Sequence, residues 1–288
     1  MAERSFGPVV VRQRLGSELR RLRGEAGMSL DQVARELEAS PSKISRLENA
    51  QIPAKVWDVR NLLTLYGVED EEYRRKAERW VAESKAEGWW HPYSDASPAD
   101  LDHYVSLESE SAEIRGYCAP YLNGLFQTED YARALLATTL PDLSKGQLEG
   151  LVDVRMKRQE LFLRADGAPR LRFILDEAVL RRQIGDAALM RRQLERLVEL
   201  MDTADLRVRS FEAPPHLALQ SPFTIFVPRE EVDPIVVNLE SAFHDAYFDD
   251  RDDVARFVAS FDALEYSSLS AEESKTLVRH LAELGVSG

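Results

Sequence analysis

Apolar residues recur at helical spacing from the start of the chain. Leu15, Leu19 and Leu22 fall on one stripe and predict a first helix. Leu30, Val33, Ala34 and Leu37 follow at i, i+3, i+4, i+7 and predict a second. Ser29, with Gln32 three residues on, has capping-box spacing at its start. The third helix opens with Ser40 as cap and Pro41 at the first helical position, where a missing N–H costs nothing. Its buried side is only Ile44 and Leu47, while Ser42, Lys43, Ser45, Arg46 and Asn49 face elsewhere. Val56, Val59, Leu62 and Leu63 supply further packing. Residues 71–87 carry Tyr73, Ala77, Trp80, Val81 and Ser84 on one side and read as a connecting helix ended by Gly88.

Beyond residue 88 the pattern changes. Helices are predicted at 98–116, 128–138, 144–164, 176–183, 186–202, 251–264 and 270–284. Strands are predicted at 171–175, 206–211, 223–227 and 235–239, the last with the β-branched run Ile235-Val236-Val237. Pro214, Pro215, Pro222, Pro228 and Pro234 punctuate the strands. The predicted organisation is a loose arm at 1–10, a helical domain at 11–68, a linker helix at 69–87 and an α+β domain at 88–288.

Charge divides the chain in the same place. The net charge is −13 over 288 residues. Residues 1–68 hold eleven Lys/Arg against eight Asp/Glu, a surplus of +3, which leaves −16 for residues 69–288. A basic end that coincides with two short helices and a tight turn has the distribution DNA binding requires. The acidic remainder repels phosphate and favours a small specific footprint. Cys118 is the single cysteine, so an intramolecular disulfide is impossible. No apolar run approaches the ~20 residues needed to span a bilayer, and the N-terminus lacks a signal-peptide apolar core. A cytoplasmic protein is expected.

A helix with two apolar anchors and a polar outer face suits the recognition helix of a helix-turn-helix. Residues 12–66, with the string SKISRLE at 42–48, resemble the Xre-type, lambda-repressor-like helix-turn-helix. Many such domains place Gly after that Glu; here Asn49 and Ala50 follow, and Asn49 is expected to take the left-handed turn. The rest resembles a family of actinobacterial Xre-type regulators. The resemblance rests on Gly88-Trp89-Trp90, Leu107-Glu108, GLFQTEDYARAL at 124–135, Arg158-Gln159, FILDEAVLRRQIG at 173–185, Gln193-Leu194 and Pro222-Phe223. Leu122-Asn123-Gly124 and Phe126 depart from the usual Pro-Gly turn of that family. The resemblance implies transcriptional regulators, often encoded beside a small partner protein and likened to antitoxins. It implies no catalytic residues and no ligand.

The candidate DNA-binding residues are Gln32, Ser40, Ser42, Lys43, Ser45, Arg46 and Asn49. Arg reads guanine bidentately and Lys reaches guanine or phosphate, which makes Ser42, Lys43 and Arg46 the leading base-edge or phosphate candidates. Gln32 and Ser40 stand at helix N-termini, where phosphate contacts are natural. Glu48 is expected to pair with an arginine inside the domain.

Other clusters are weighed against blander readings. The aromatics Trp89, Trp90 and Tyr93 line a ligand cavity or plug the base of the linker. The five histidines show no zinc-ligand spacing with Cys118 or one another. Ser241, His244 and Asp245 lie close in sequence, but a triad is defined in space. Asp249, Asp250, Asp252 and Asp253 lack a calcium-loop spacing and suit a helix N-terminus. Ser221, Thr224 and Glu240 suggest a cleft for nucleotide-transfer chemistry at loose spacing.

The expected fold is therefore a mainly α helix-turn-helix domain of about five helices followed by a larger α+β domain. The expected function is a sequence-specific transcriptional regulator, a repressor that binds a palindromic operator as a dimer. Double-stranded DNA, a second copy, a small protein encoded nearby and a small-molecule effector are the partners; no enzyme activity, cofactor, metal or membrane is expected. The alternatives are an antitoxin-like protein that sequesters a small partner and autoregulates, and a transferase-like domain targeted by its helix-turn-helix.

Overall fold

The computed structural model describes residues 8–85, 101–163, 168–216, 221–229, 233–241 and 245–284. The aromatic cluster at 89–93 and the first seven residues of the expected arm lie outside the described residues. The chain forms two compact units, the first of residues 1–91 and 102–110, the second of residues 92–101 and 111–288.

The first unit is helical. Its elements are α1 (Pro8–Glu25), α2 (Leu30–Glu36), α3 (Pro41–Glu48), α4 (Val56–Leu65), α5 (Glu71–Glu83) and α6 (Leu101–Glu110). Helix α1 begins inside the stretch expected as an arm; a helix tolerates Pro8 there because its first N–H groups have no intrahelical partner. One core joins the first five helices through Leu15, Leu19, Val33, Ile44, Leu47, Val59, Leu62, Leu63, Ala77, Trp80 and Val81. Each of the valine, leucine and isoleucine side chains among these contributes about 1.5–3 kcal/mol by leaving water. Helix α5 is part of that core and not only a connector. Trp80 is buried, and Arg14 and Lys76 lie over its ring at 5.8 Å and 5.2 Å. At the far end of α5, Arg12 Nη2 donates to the Ser84 carbonyl at 3.2 Å. Helix α6 groups with these helices, and its His103 ring nitrogen meets Gln13 Nε2 at 2.9 Å.

Helices α1 to α4 all end alike. The N–H one residue past the cap bonds back to the carbonyl of the second-last helical residue, and the next N–H bonds to the carbonyl one residue further in. This motif needs a left-handed residue, supplied by Gly27, Glu38, Ala50 and Gly67 at φ +66°, +49°, +56° and +74°. The two helices of the motif itself thus end on residues that carry a Cβ.

The second unit is built on a six-stranded mixed sheet, order β3-β2-β1-β4-β5-β6. The strands are β1 (Ser111–Cys118), β2 (Arg170–Asp176), β3 (Asp205–Arg209), β4 (Phe223–Pro228), β5 (Val236–Leu239) and β6 (Ala246–Phe248). The first three are parallel, and β4, β5 and β6 continue antiparallel from β1. The helices are α7 (Glu129–Thr139), α8 (Lys145–Leu163), α9 (Glu177–Arg181), α10 (Ala187–Leu200), α11 (Arg251–Tyr266) and α12 (Ala271–Leu284). One sheet face carries Tyr117, Ile174, Phe223, Ile225 and Val237 and packs on Val254, Phe261 and Leu264 of α11. The other face carries Gly116, Phe173, Thr224 and Asn238 in one row across four strands.

The central strand corrects the expected helix at 98–116, which ends at Glu110; residues 111–118 are β1. Helix formers such as Ala112, Glu113 and Arg115 extend the helical pattern in sequence. Pairing on both edges overrides that propensity. Strand β6 has no counterpart among the expected strands; at three residues it is too short to carry an alternation. The remaining strands and helices of this unit lie within two residues of expectation, whereas the connecting helix expected at 71–87 ends at Glu83.

A 3-10 turn at Gly124–Phe126 covers the second face. Phe126 meets Phe173 edge-on at 4.9 Å. The Phe173 ring lies over Gly116, where a Cβ would stand 2.3 Å from it. Glutamines hold this turn. Gln193, fully buried, accepts from Thr128 N–H at 2.7 Å and donates to the Phe126 carbonyl at 2.8 Å. Gln159 donates to the Gly124 and Gln127 carbonyls at 2.8 Å and 2.6 Å. Gln127 donates to the Leu122 carbonyl at 2.6 Å. The GLFQT string is therefore a hydrogen-bonded knot, closed by Thr128 capping α7.

Candidate nucleic-acid interface

Helices α2 and α3 start as their sequences predict. Ser29 and Gln32 close a full capping box, with Ser29 N–H donating to Gln32 Oε1 at 2.7 Å and Gln32 N–H to Ser29 Oγ at 3.3 Å. Ser40 Oγ accepts from Lys43 N–H at 3.1 Å, with Pro41 at the first helical position. Ile44 and Leu47 are buried and anchor α3.

The outward side chains of α3 differ in how far they are committed within the protein. Ser42 and Arg46 are exposed and Ser45 is half-buried. Lys43 Nζ reaches back 2.8 Å to Asp58 Oδ1 on α4, so it is tethered and does not stand out from the helix. This pair is partly exposed and of modest strength, which leaves the lysine exchangeable. Asn49 donates to Ser45 Oγ at 3.2 Å, and its Oδ1 accepts from Arg20 of α1. Gln32 and Ser40 are exposed, but their oxygens serve as caps. The left-handed residue after α3 is Ala50, while Asn49 stays at φ −92°. The expectation placed that turn one residue early; Asn49 is the half-helical cap itself.

Two features beneath α3 set its position. Glu48 is 4% exposed and takes both ends of the Arg23 guanidinium, Nε at 2.7 Å and Nη2 at 2.9 Å. Its hydrogen bond holds the Arg23 guanidinium above its ordinary value. This is the intradomain arginine expected for Glu48. Gly16 of α1 lies against the end of α3, where a Cβ would stand 2.6 Å from the Glu48 carbonyl oxygen. Sequence reasoning missed Gly16 because a close approach between helices leaves no local signature. It also missed Trp57, 66% exposed in the first turn of α4 beside Asp58.

Elsewhere the candidates separate. Asp250 caps α11 through the Asp252 and Asp253 N–H groups, at 3.0 Å and 3.4 Å. Among the described residues no group of His, Cys, Asp and Glu is placed to hold a metal ion. No described helix is long and apolar enough to cross a membrane. His244 of the Ser241-His244-Asp245 set lies outside the described residues.

Capped α2, anchored α3 and the bracing helices around them define a helix-turn-helix protein, and a helix-turn-helix domain model matches residues 14–75. The protein is of the DNA-binding regulatory class. The chain belongs to the family described as Domain of unknown function (DUF5753), whose model matches residues 101–280. No curated protein and no solved structure matches the chain.

Proposed function

We propose that the protein is a sequence-specific transcriptional regulator of the Xre type and actinobacterial kind. It acts as a repressor, binding a palindromic operator as a homodimer. The observation that carries this reading is α3 itself. Ser42 and Arg46 stand exposed on a helix whose other side is pinned by Ile44, Leu47 and the Arg23–Glu48 pair. A rigid mount with an exposed cationic tip is what base-edge reading needs. Ser42, Ser45 and Arg46 enter the major groove, with Lys43 and Asn49 exchanging internal partners for phosphate or base edges. Gln32 and Ser40 approach the backbone at the helix N-termini. Two copies then engage half-sites about one helical turn apart.

The second unit senses a small molecule or a small protein encoded nearby and shifts the spacing of the two recognition helices. It needs no enzymatic step, cofactor or metal for this. The antitoxin-like reading differs only in which event is primary, capture of the partner or control of DNA.

The test is a footprinting titration on the operator found by genome-wide binding. Arg46→Ala is expected to lower specific affinity by about 1–3 kcal/mol with unchanged circular dichroism. Unchanged operator affinity sinks the assignment.

A further inference from the structure

Helices α10 and α12 pack side by side in the sheet unit. Lys275, near the start of α12, pairs with Asp202, just past the end of α10. Arg191 near the start of α10 and Glu283 near the end of α12 line the opposite end, so the two helices run antiparallel. A groove of about 470 Å³ lies between them. Its floor is apolar, half-buried Val198 and buried Ala282. Its walls are Arg191 and Glu195 of α10 and Arg279 and Glu283 of α12.

The four wall charges differ from neighbours that are already paired. Arg192 meets Asp130 at 2.9 Å, Arg196 meets Glu199 at 2.9 Å, and Glu273 accepts from Ser270 N–H at 2.9 Å. Arg191, Glu195, Arg279 and Glu283 are exposed and have no hydrogen bond or ion pair among the described residues. In each helix the arginine precedes the glutamate by four residues, the weaker order for a pair within one helix. Antiparallel packing turns these two identical orders into a checkerboard. Arg191 and Glu283 stand at one end of the groove, Glu195 and Arg279 towards the other.

Two positive and two negative charges cancel, so the face suits neither DNA nor a simple anion. It suits a surface bearing the inverse checkerboard. A half-turn about an axis along the groove, or across it, supplies that surface from the same chain. Each arginine of one copy then faces a glutamate of the other. Closed dimers are built on such self-complementary patches. Residues 69–288 carry −16 overall, and a locally neutral, alternating patch is where two acidic bodies can meet. The charges set the register, while Val198 and Ala282 supply apolar contact at the centre.

We infer that the α10–α12 face is the contact through which two copies of this chain pair about a two-fold axis. The inference rests on the homodimer of the proposed function and names the surface that forms it.

The test is sedimentation equilibrium on the full chain without DNA. Wild type is expected to dimerise at micromolar concentration and to dissociate more readily in about 0.5 M sodium chloride, which screens the charges. Arg191→Glu with Arg279→Glu makes the face wholly acidic. Glu195→Arg with Glu283→Arg makes it wholly basic. Each double variant alone is expected to dimerise at least about tenfold more weakly than wild type. An equimolar mixture of the two is expected to form a heterodimer at least as tight as the wild-type dimer. All four positions are exposed, so circular dichroism and melting temperature should hold. If either reversal fails to fold, Arg191→Gln with Arg279→Gln takes its place and is expected to weaken the dimer. A monomeric wild type, or variants that dimerise as wild type does, overturns the surface. Operator binding is scored separately. Variants that remain dimeric and bind the operator as dimers overturn only this surface and leave the homodimer reading intact. Monomeric variants that keep wild-type operator affinity uphold the surface and remove the dimer from operator reading.

Discussion

The two units use buried polar groups in different ways. In the helical unit each pair ties one helix to another: Arg23 to Glu48, Lys43 to Asp58, Tyr73 to Glu18. The sheet unit has such struts too, as Arg172 to Glu265, but its polar side chains also gather around one turn, with Gln127, Gln159 and Gln193 bonding backbone and Arg155 joining them. A set of separate struts fixes the angle of a recognition helix. A knot of amides fixes a turn against the sheet.

The sharpest way to break this comparison is to remove a strut. Glu48→Ala strands the Arg23 guanidinium, whose side chain is 18% exposed, and is expected to cost about 3 kcal/mol in urea denaturation. A cost near zero would mean that packing alone seats α3. In the sheet unit, Gln193→Leu strands the Thr128 N–H and the Phe126 carbonyl together and should cost about 2 kcal/mol. Operator affinity should fall for the first variant and hold for the second.

Smaller effects sharpen the picture. Ala50→Gly relieves a left-handed Cβ and should stabilise by about 1 kcal/mol, read as a higher melting temperature. No gain would show that the turn after α3 is unstrained. The least effect concerns pH. Burial raises the Glu18 carboxyl, but hydrogen bonds from Arg21 and Tyr73 outweigh it and hold it below its ordinary 4.5. A folded value below the unfolded one gives stability that is present above pH 4.5 and lost as pH falls. Wild type should therefore lose more melting temperature than Glu18→Gln between about pH 7 and about pH 3.5. Equal losses would remove Glu18 from the account.

Much of the helical unit was legible because its signals are local. The capping box at Ser29, the cap at Ser40 and the anchors Ile44 and Leu47 each depend on residues within one turn. The commitment of Lys43 to Asp58 was not legible, since it joins two helices across a loop. In the sheet unit the strands of β-branched and aromatic residues could be read, whereas β1 could not. Its burial runs through both faces over Gly116, Tyr117 and Cys118, so the alternation that marks a strand is absent. Ser221, Thr224 and Glu240 drew notice as polar residues on neighbouring strands. The structure seats Thr224 opposite Asn238, a residue that no local pattern singles out.

The place of β1 in the sheet also dictates the order in which the molecule can be assembled. This strand leaves the ribosome first, yet its neighbours arrive only with Arg170–Asp176 on one side and Phe223–Pro228 on the other. Pairings so distant in sequence form slowly, and an unpaired edge is a template for association. A chain cut short before Phe223 would therefore leave one edge of its middle strand unpaired. Premature termination in the second half should yield aggregates and not a free DNA-binding fragment.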